Sequence, residues 1–263
     1  MKKSLITVGV VGTLIIIASC VQMEDSGKNA FIITSPNQEA NLGAQAFTQL
    51  KSDGKVSRDT VVNEQVQRVA NNLIKVINMP DTQWEVVVFD DPTPNAFALP
   101  GGKIGVNTGI LPLTKTDGGL AAVIGHELAH VKFRHGGQRI TRDMTLQGVS
   151  MLGGAYLDMN NVENRDAIMS AFGVGTNLAV TLPYSRGDES EADRYGLIYM
   201  ARAGYNPREA LDFWIRMKEF SEKNGNKTPE FLSTHPADAT RIKQIQQWLP
   251  EAEEIYRQAT SKQ

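Results

Sequence analysis

The sequence predicts an α+β fold that is mainly helical, with a small β-sheet beside one central helix. Apolar residues recur at helical spacing through most of the chain, whereas strand-like composition is confined to two short segments. After the first 38 residues, about 225 remain, which is enough for one domain with a sizeable core. The predicted helices are residues 37–52, 58–77, 117–135, 138–157, 164–180, 187–203, 207–223 and 238–258.

The first twenty residues have the pattern of a secretory signal that ends at a lipidation site. Lys2 and Lys3 precede an uncharged apolar stretch, residues 4–16, and the segment closes on Ala-Ser-Cys at Cys20. This stretch is too short to span a bilayer comfortably, which favours cleavage and a lipid anchor. Cys20 is the only cysteine, so an intramolecular disulfide is excluded and the residue fits one purpose, carrying lipid.

We therefore divide the chain into a signal peptide at 1–20, a tether at 21–38 and a single domain at 39–263. The tether is expected because few residues in it are apolar apart from Phe31-Ile32-Ile33. A secreted or inner-membrane-tethered form is the alternative. Val21 after the cysteine favours sorting to the outer membrane, facing the periplasm, if the source is a Gram-negative bacterium.

Two strand segments are expected between the second and third helices. They are Trp84–Phe89 and a longer run, Ala96–Val106, that turns at Pro100-Gly101-Gly102. A sheet beside the third helix would offer an edge to which an extended peptide can add. Two long uncharged stretches, 144–157 and 167–185, could form a lid, face a membrane or be buried, and burial is the default expectation.

The third helix carries the residues that decide the chemistry. His126 and His130 are four apart, so both lie on one face of the helix and can grip one Zn²⁺. Glu127 lies a step round the helix, where it can act as general base toward water at the metal. Asp117 is the expected N-cap, and His135 is expected to cap the C-terminus on the opposite face.

A catalytic zinc usually takes three protein ligands, and the third is expected far downstream. Glu189 and Asp193 are four apart on a predicted helix and therefore share a face. If Glu189 binds zinc, Asp193 can accept the N–H of a ligating histidine and fix its tautomer. An acidic, solvated helix face is the alternative explanation of this pair.

The two motifs together, His126-Glu127-Leu128-Ala129-His130 and Glu189-Ser190-Glu191-Ala192-Asp193, resemble the HExxH and ExxAD pattern of one zinc metallopeptidase family. That family includes the CAAX prenyl proteases, the mitochondrial peptidase of overlapping activity and bacterial periplasmic quality-control peptidases. The resemblance covers roughly residues 60–245 and is strongest to the short bacterial lipoprotein type. Further matching stretches are residues 95–102, 108–111, 121–125 and 131–135.

The resemblance implies a zincin-like domain with one zinc per chain, held by His126, His130 and Glu189, with Glu127 as catalytic base. One departure is Gly118-Gly119, where the family often has an acidic, helix-favouring pair. We expect these glycines to loosen the first helical turn without touching the ligands.

A third matching segment contains His235-Pro236 and, six residues after the histidine, Arg241. The resemblance suggests that both face the metal, and we favour a role in stabilising the oxyanion. Arg241 could instead bind a substrate carboxylate or brace Glu189. His235 could instead close the site as a fourth zinc ligand, and a plain helix start with a surface arginine is the remaining alternative.

These residues predict a zinc-dependent endopeptidase of the bacterial cell envelope that cuts unfolded or misassembled proteins. The alternative is an envelope chaperone or assembly factor whose zinc site is latent or closed. Expected partners are protein substrates, the membrane through Cys20 and outer-membrane assembly proteins. Net charge is −2 with no basic cluster, so nucleic acid is excluded as a partner.

Overall fold

The computed structural model describes residues 20–23, 25–143, 145, 184–223, 230–235 and 239–261. Most of the signal peptide, the predicted helix 164–180 and most of the stretches 144–157 and 167–185 lie outside these ranges. The described elements are β1 (Cys20–Gln22), β2 (Asn29–Phe31), α1 (Pro36–Asp53), α2 (Thr60–Ile74), β3 (Glu85–Phe89), β4 (Ala96–Leu99), β5 (Lys103–Asn107), α3 (Leu111–Thr114), α4 (Asp117–Lys132), α5 (Arg186–Arg202), α6 (Arg208–Lys223), α7 (Glu230–Thr234) and α8 (Ala239–Thr260). A 3₁₀ turn, Thr108–Ile110, precedes α3, and residues 135–143 are helical.

This order of elements confirms the predicted α+β, mainly helical, zincin-like fold. Contacts divide the chain into two compact units, residues 1–38 with 136–180 and residues 39–135 with 181–263. In the first unit, β1 and β2 pair antiparallel, with Val21 opposite Ala30, inside the segment expected to be a tether. Within the described ranges, no helix combines the length and apolar composition that a membrane span requires.

The sheet of the second unit has the strand order β3-β5-β4. β5 pairs parallel with β3 and antiparallel with β4, and the predicted turn at Gly101 and Gly102 joins β4 to β5 with φ of +80° at both glycines. Gly105 of β5 lies under the ring of Phe97, where a Cβ would come within 2.2 Å of a ring carbon. β4 is therefore an edge strand, and it packs against α4.

α4 is the central helix of this unit. It packs against α2, α3, α5, α6 and β4, and every residue from Gly118 to Val131 is buried. The N-cap is Thr116, whose hydroxyl accepts a hydrogen bond from the N–H of Gly119, so the prediction of Asp117 as N-cap was wrong by one residue.

The C-terminal end of α4 also differs from the prediction. The helix ends at Lys132 with Phe133 as C-cap, and Arg134 adopts a left-handed conformation with φ of +52°. Helical structure resumes at residue 135. His135 is therefore not a cap on the far face of α4, because the left-handed turn at Arg134 redirects the chain before that residue.

Glycines set how closely α4 approaches its neighbours. A Cβ on Gly119 would lie 2.1 Å from the carbonyl oxygen of Thr114, and one on Gly118 would lie 2.6 Å from Cγ of Glu209. At the crossing with α5, a Cβ on Gly196 would lie 3.0 Å from the backbone nitrogen of His126. The Gly118-Gly119 pair thus permits close packing at the start of α4.

α6 and α8 complete the unit on the side of α5. α6 buries Ala210, Phe213, Trp214 and Met217, which recur at helical spacing, and exposes charged residues on its other side. α8 packs against both α5 and α6. This arrangement places Trp214 and the first turn of α8 beside the metal-binding motifs.

Candidate metal centre

Four buried side chains from three parts of the chain converge at one point. His126 and His130 come from α4, Glu189 from the first turn of α5, and His235 from the residue after α7. Nε2 of His126 lies 2.9 Å from Nε2 of His130 and 3.1 Å from Nδ1 of His235. Oε1 of Glu189 lies 2.9 Å from Nδ1 of His235 and 3.5 Å from Nε2 of His130.

These donor atoms fit a single zinc ion. Zinc in proteins is tetrahedral with bonds of about 2.0–2.2 Å, which places its ligand atoms about 3.3–3.5 Å apart. The four candidate donors lie within 4.8 Å of one another, and their nearest separations of 2.9–3.5 Å reach up to that range. Imidazole nitrogens and a carboxylate are also the donors that zinc prefers. The structure thus brings together His126, His130 and Glu189, the three ligands expected from sequence, and places His235 with them.

Local structure explains why these residues meet. The four-residue spacing of His126 and His130 puts both rings on one face of α4. Ser185 and Asp188 form a capping box, in which each side chain accepts the other residue's backbone N–H, so α5 begins just before Glu189. The N–H of His235 donates to the carbonyl of Phe231 at 2.8 Å, which fixes this histidine at the end of α7.

Asp193 lies where the sequence placed it, one turn beyond Glu189. Its Oδ1 is 2.9 Å from Nδ1 of His126, so it can accept that N–H and leave Nε2 free to bind metal. Burial raises the pKa of Asp193 to about 6, although the nearby Arg241 opposes this rise. In this position the carboxylate of Asp193 can orient the ring of His126 and favour the tautomer that has its proton on Nδ1.

Arg241 joins the two carboxylates of α5 and is itself almost fully buried. Its Nη1 lies 3.0 Å from Oε2 of Glu189 as an ion pair, and its Nη2 donates to Oδ1 of Asp193 at 2.6 Å. Its guanidinium also stacks over Trp214, with 3.4 Å from Cζ to the ring centroid. The sequence left several roles possible for Arg241. These contacts favour the one in which Arg241 holds Glu189 in place, and they show that Arg241 contacts Asp193 as well.

Glu127 lies beside the donors without being one of them. It is completely buried, with no exposed surface. Burial raises the pKa of Glu127 to about 7, while His235, whose Nε2 is 3.5 Å from Oε1, and the backbone N–H of Ala98 act to lower it. A carboxylate held close to a metal site at a near-neutral pKa suits a general base.

The electrostatics of the ligands favour neutral imidazoles on α4. Burial lowers the pKa of His126 and of His130 well below the ordinary value, although Glu189 opposes this. Burial alone would raise the pKa of Glu189, but the positive charges of His235 and Arg241 hold it well below its usual range. Burial lowers the pKa of His235, yet the charges of Glu189 and Glu127 outweigh burial and raise it.

Sequence reasoning missed two residues that contact this site. His135 has no exposed surface, its Nδ1 lies 2.9 Å from Nδ1 of His130, and its Nε2 lies 3.2 Å from Oε2 of Glu191. Tyr184 stacks on the ring of His130 with a centroid distance of 4.0 Å. Glu191 is buried as well, although it lies only two residues from Glu189 in sequence.

Sequence comparison relates this chain to known metalloproteases. The chain is 42% identical over 188 residues to the mitochondrial metalloendopeptidase OMA1 of Schizosaccharomyces pombe, covering 72% of this chain and 53% of that protein. It is 40% identical over 182 residues to OMA1 of Saccharomyces cerevisiae, covering 67% and 50% respectively. It is 25% identical over 223 residues to the beta-barrel assembly-enhancing protease of Escherichia coli K12, covering 84% and 45%.

The chain thus spans about half the length of the curated relatives it matches. The range 60–249, which matches a known peptidase family, contains both motif helices and the segment that carries His235 and Arg241. Residues 60–249 match peptidase family M48 as a whole. The chain therefore belongs to peptidase family M48, a family of zinc-dependent metallopeptidases.

Proposed function

We propose that this protein is a zinc-dependent endopeptidase of the bacterial cell envelope that hydrolyses peptide bonds of unfolded or misassembled proteins. One observation carries the proposal, namely that His126, His130 and Glu189 converge beside the buried carboxylate of Glu127. Three ligands and an adjacent base are the arrangement that metal-assisted peptide hydrolysis needs.

Within this site the residues of the chain have separate tasks. When bound, Zn²⁺ supplies Lewis-acid chemistry that makes water more acidic and polarises a peptide carbonyl. Glu127 takes a proton from the attacking water and returns it to the leaving amine. Asp193 and Arg241 hold His126 and Glu189 in place, through contacts of 2.9 and 3.0 Å respectively.

The edge strand β4 is the proposed platform for the substrate backbone. β4 packs against α4, and the N–H of Ala98 lies close enough to the Glu127 carboxylate to affect its pKa. An extended peptide added to this edge would pass beside the base with its own N–H and C=O groups paired. Backbone pairing gives affinity without reading much sequence, which suits a peptidase of unfolded proteins.

His235 supports a second candidate, a latent enzyme whose site is closed by a fourth ligand. Its Nδ1 lies among the ligand atoms, 3.1 Å from Nε2 of His126 and 2.9 Å from Oε1 of Glu189. This position favours the closing-ligand role over the oxyanion role that we predicted from sequence. The alternative function, a chaperone or assembly factor with a closed zinc site, depends on the same contact.

The decisive experiment compares Glu127→Gln and His235→Ala with the wild-type protein in chelator-sensitive casein cleavage and in zinc content. Glu127→Gln should keep zinc and lose nearly all activity, because the amide preserves shape but cannot take a proton. Glu222→Gln, which changes an exposed glutamate on α6, is the matched control. Full turnover by Glu127→Gln would refute the assignment of the base.

His235→Ala separates the two roles of that histidine. A rise in activity is expected if His235 closes the site, since its removal frees a coordination position. A fall on the order of 10²- to 10³-fold would support the oxyanion role. If neither the wild-type protein nor the His235→Ala variant cleaves casein when loaded with zinc, the result would favour the chaperone instead.

The envelope location rests on the N-terminal sequence and on Cys20, which is exposed at the start of β1. The relatives' names refer to two settings, mitochondria for OMA1 and beta-barrel assembly for the Escherichia coli protein. Lipid on Cys20 would keep the domain at the membrane, with outer-membrane assembly proteins as candidate partners. Cys20→Ser should release folded protein into the soluble fraction, and the mass of the mature N-terminus checks for lipid.

A further inference from the structure

We propose that His135 and Glu191 are positioning residues that act in series on the zinc ligand His130. Glu191 orients His135, and His135 orients His130. The inference rests on the proposed assignment of His130 as a ligand, and it gives a function to two buried polar residues that the catalytic roles above leave unused.

The contacts form an unbroken chain from the metal centre into α5. Nδ1 of His130 lies 2.9 Å from Nδ1 of His135, and Nε2 of His135 lies 3.2 Å from Oε2 of Glu191. The other nitrogen of His130, Nε2, is the atom that faces His126 and Glu189. His130 thus presents one nitrogen to the metal centre and the other to His135. We call the series Glu191, His135 and His130 the relay.

The chemistry of these groups allows one proton arrangement that leaves His130 able to bind zinc. An ionised Glu191 can only accept a hydrogen bond, so Nε2 of His135 carries the proton. Nδ1 of His135 is then an acceptor and must receive the N–H of His130 Nδ1. Nε2 of His130 is left with a free lone pair, which is the form that binds metal.

Burial makes this relay specific. His135 and the Glu191 side chain are 0% and 5% exposed, so water cannot readily replace either partner. Phe133 stacks near the ring of His135 with an interplanar angle of 28°, and Tyr184 covers the ring of His130. The ring positions are therefore held by packing on their faces and by hydrogen bonds at their edges.

The backbone that delivers His135 is itself anchored. Arg134 adopts a positive φ of +52°, which is uncommon for a residue with a side chain. Its guanidinium makes a bidentate contact with the buried Glu39 of α1, at 2.7 and 3.1 Å. This pair holds the turn that returns His135 to the ring of His130.

The two histidine ligands of α4 are therefore supported independently. His126 contacts a carboxylate directly through Asp193 at 2.9 Å, whereas His130 reaches Glu191 only through His135. Residues in one hydrogen-bonded series should show strong coupling in a double-mutant cycle, and residues on separate ligands should show little.

Zinc affinity of the full chain, measured by competition with a chromogenic chelator, tests the relay without using peptidase activity. His135→Ala and Glu191→Ala should each weaken zinc binding about 10- to 100-fold. The variant that combines His135→Ala and Glu191→Ala should bind zinc no more weakly than His135→Ala alone. In contrast, for His135→Ala combined with Asp193→Ala, the fold loss of zinc affinity should equal the product of the two single losses. His135→Asn should recover part of the affinity, because its side-chain oxygen can accept the N–H of His130.

Glu254→Ala, which removes an exposed carboxylate on α8, is the control and should leave zinc affinity unchanged. Thermal unfolding of metal-free protein shows whether each variant folds. If an alanine variant does not fold, His135→Asn and Glu191→Gln replace it in the zinc-affinity measurement. Unchanged zinc affinity in those variants, or independent effects of His135 and Glu191, would overturn the relay. If wild-type protein does not bind zinc, or if His130→Ala binds it as tightly as wild type, the proposed metal site itself fails. That outcome is distinct from failure of the relay.

Discussion

α4 and α5 meet at the metal centre, but they bring different kinds of side chain into it. Apart from His126, Glu127 and His130, the buried residues of α4 are apolar or glycine. The first half of α5 instead buries three carboxylates, Glu189, Glu191 and Asp193. One helix supplies neutral nitrogen donors, and the other supplies negative charge.

This difference has an energetic cause. A neutral imidazole can be buried at moderate cost, whereas a buried carboxylate requires a charged or hydrogen-bonded partner. Each carboxylate of α5 has such a partner on another element. Glu189 and Asp193 share Arg241 of α8, and Glu191 contacts His135. α5 therefore contributes Glu189 to the candidate metal centre and places carboxylates against His126 and His135.

The largest effect expected from this comparison follows from removing the α5 ligand. Glu189→Ala should abolish stoichiometric zinc binding, because it deletes a donor and removes one of the carboxylates that contact Arg241. Asp193→Ala should weaken zinc binding only about 10- to 100-fold, as expected of a residue that orients a ligand. Metal analysis after dialysis, with chelator titration, measures both.

The order of these two effects is what distinguishes a ligand from its support. If Asp193 proves the stronger determinant of zinc binding and Glu189 is dispensable, the third ligand has been misassigned. Glu251→Ala, which alters an exposed residue of α8 near the surface of α5, provides a baseline for loss of a carboxylate outside the site.

A smaller effect is expected at the crossing of the two helices. Gly196→Ala would place a Cβ 3.0 Å from the backbone nitrogen of His126 and 3.2 Å from the carbonyl carbon of Gly125, so the helices must separate slightly. Overpacking of this kind costs about 1–3 kcal/mol, partly offset by about 1 kcal/mol of helix propensity. Thermal unfolding should show net destabilisation, and zinc affinity should fall because His126 shifts against Asp193.

Gly187→Ala is a matched control on the same helix. The nearest atom to its Cβ would be Oγ of Ser185 at 3.7 Å, which is ordinary contact, so this change should be neutral or stabilising. Equal behaviour of the two alanine variants would show that the close approach of α4 and α5 does not control the site.

The contrast between the helices also explains what could be predicted from sequence. His126, Glu127 and His130 form a local pattern on one helix, so spacing alone identified them. Placing Glu189 beside them required an assumption about folding across more than fifty residues, which the resemblance to a family supplied. The α+β fold, the sheet and the turn at Gly101 and Gly102 followed from periodicity and turn composition.

Other features depend on tertiary structure that has no local signal. The contact of His135 with His130 requires a left-handed Arg134, and arginine does not mark such a conformation in a sequence. The direct contacts of Arg241 with Glu189 and Asp193 span about fifty residues, so spacing left its role open. The pairing of β1 with β2 arises in a segment whose composition indicated only a tether.

The smallest expected effect concerns the acidic residue in the first turn of α4. Asp117, in the first turn, pairs with Arg68 and accepts a hydrogen bond from Gln65, both on α2. The hydrogen bond from Arg68 lowers the pKa of Asp117 although partial burial opposes this. Because the folded pKa is depressed, this pair stabilises the protein above the unfolded-state pKa of about 4, and the contribution is lost as pH falls through the folded value.

Asp117→Asn should therefore lower the melting temperature only slightly at neutral pH, since exposed ion pairs contribute little. Zinc affinity should not change, because Asp117 lies more than two helical turns before His126. In melts of metal-free protein, the difference in melting temperature between variant and wild type should narrow below pH of about 4, where the carboxyl group of the unfolded wild-type chain begins to bind a proton. The difference in melting temperature between Asp117→Asn and wild type could instead stay constant on acidification, or the variant could lose zinc affinity at neutral pH. Either result would show that Asp117 acts on the fold of α4 by some means other than its charge. In that case the start of α4, and not only its crossing with α5, would help to position His126.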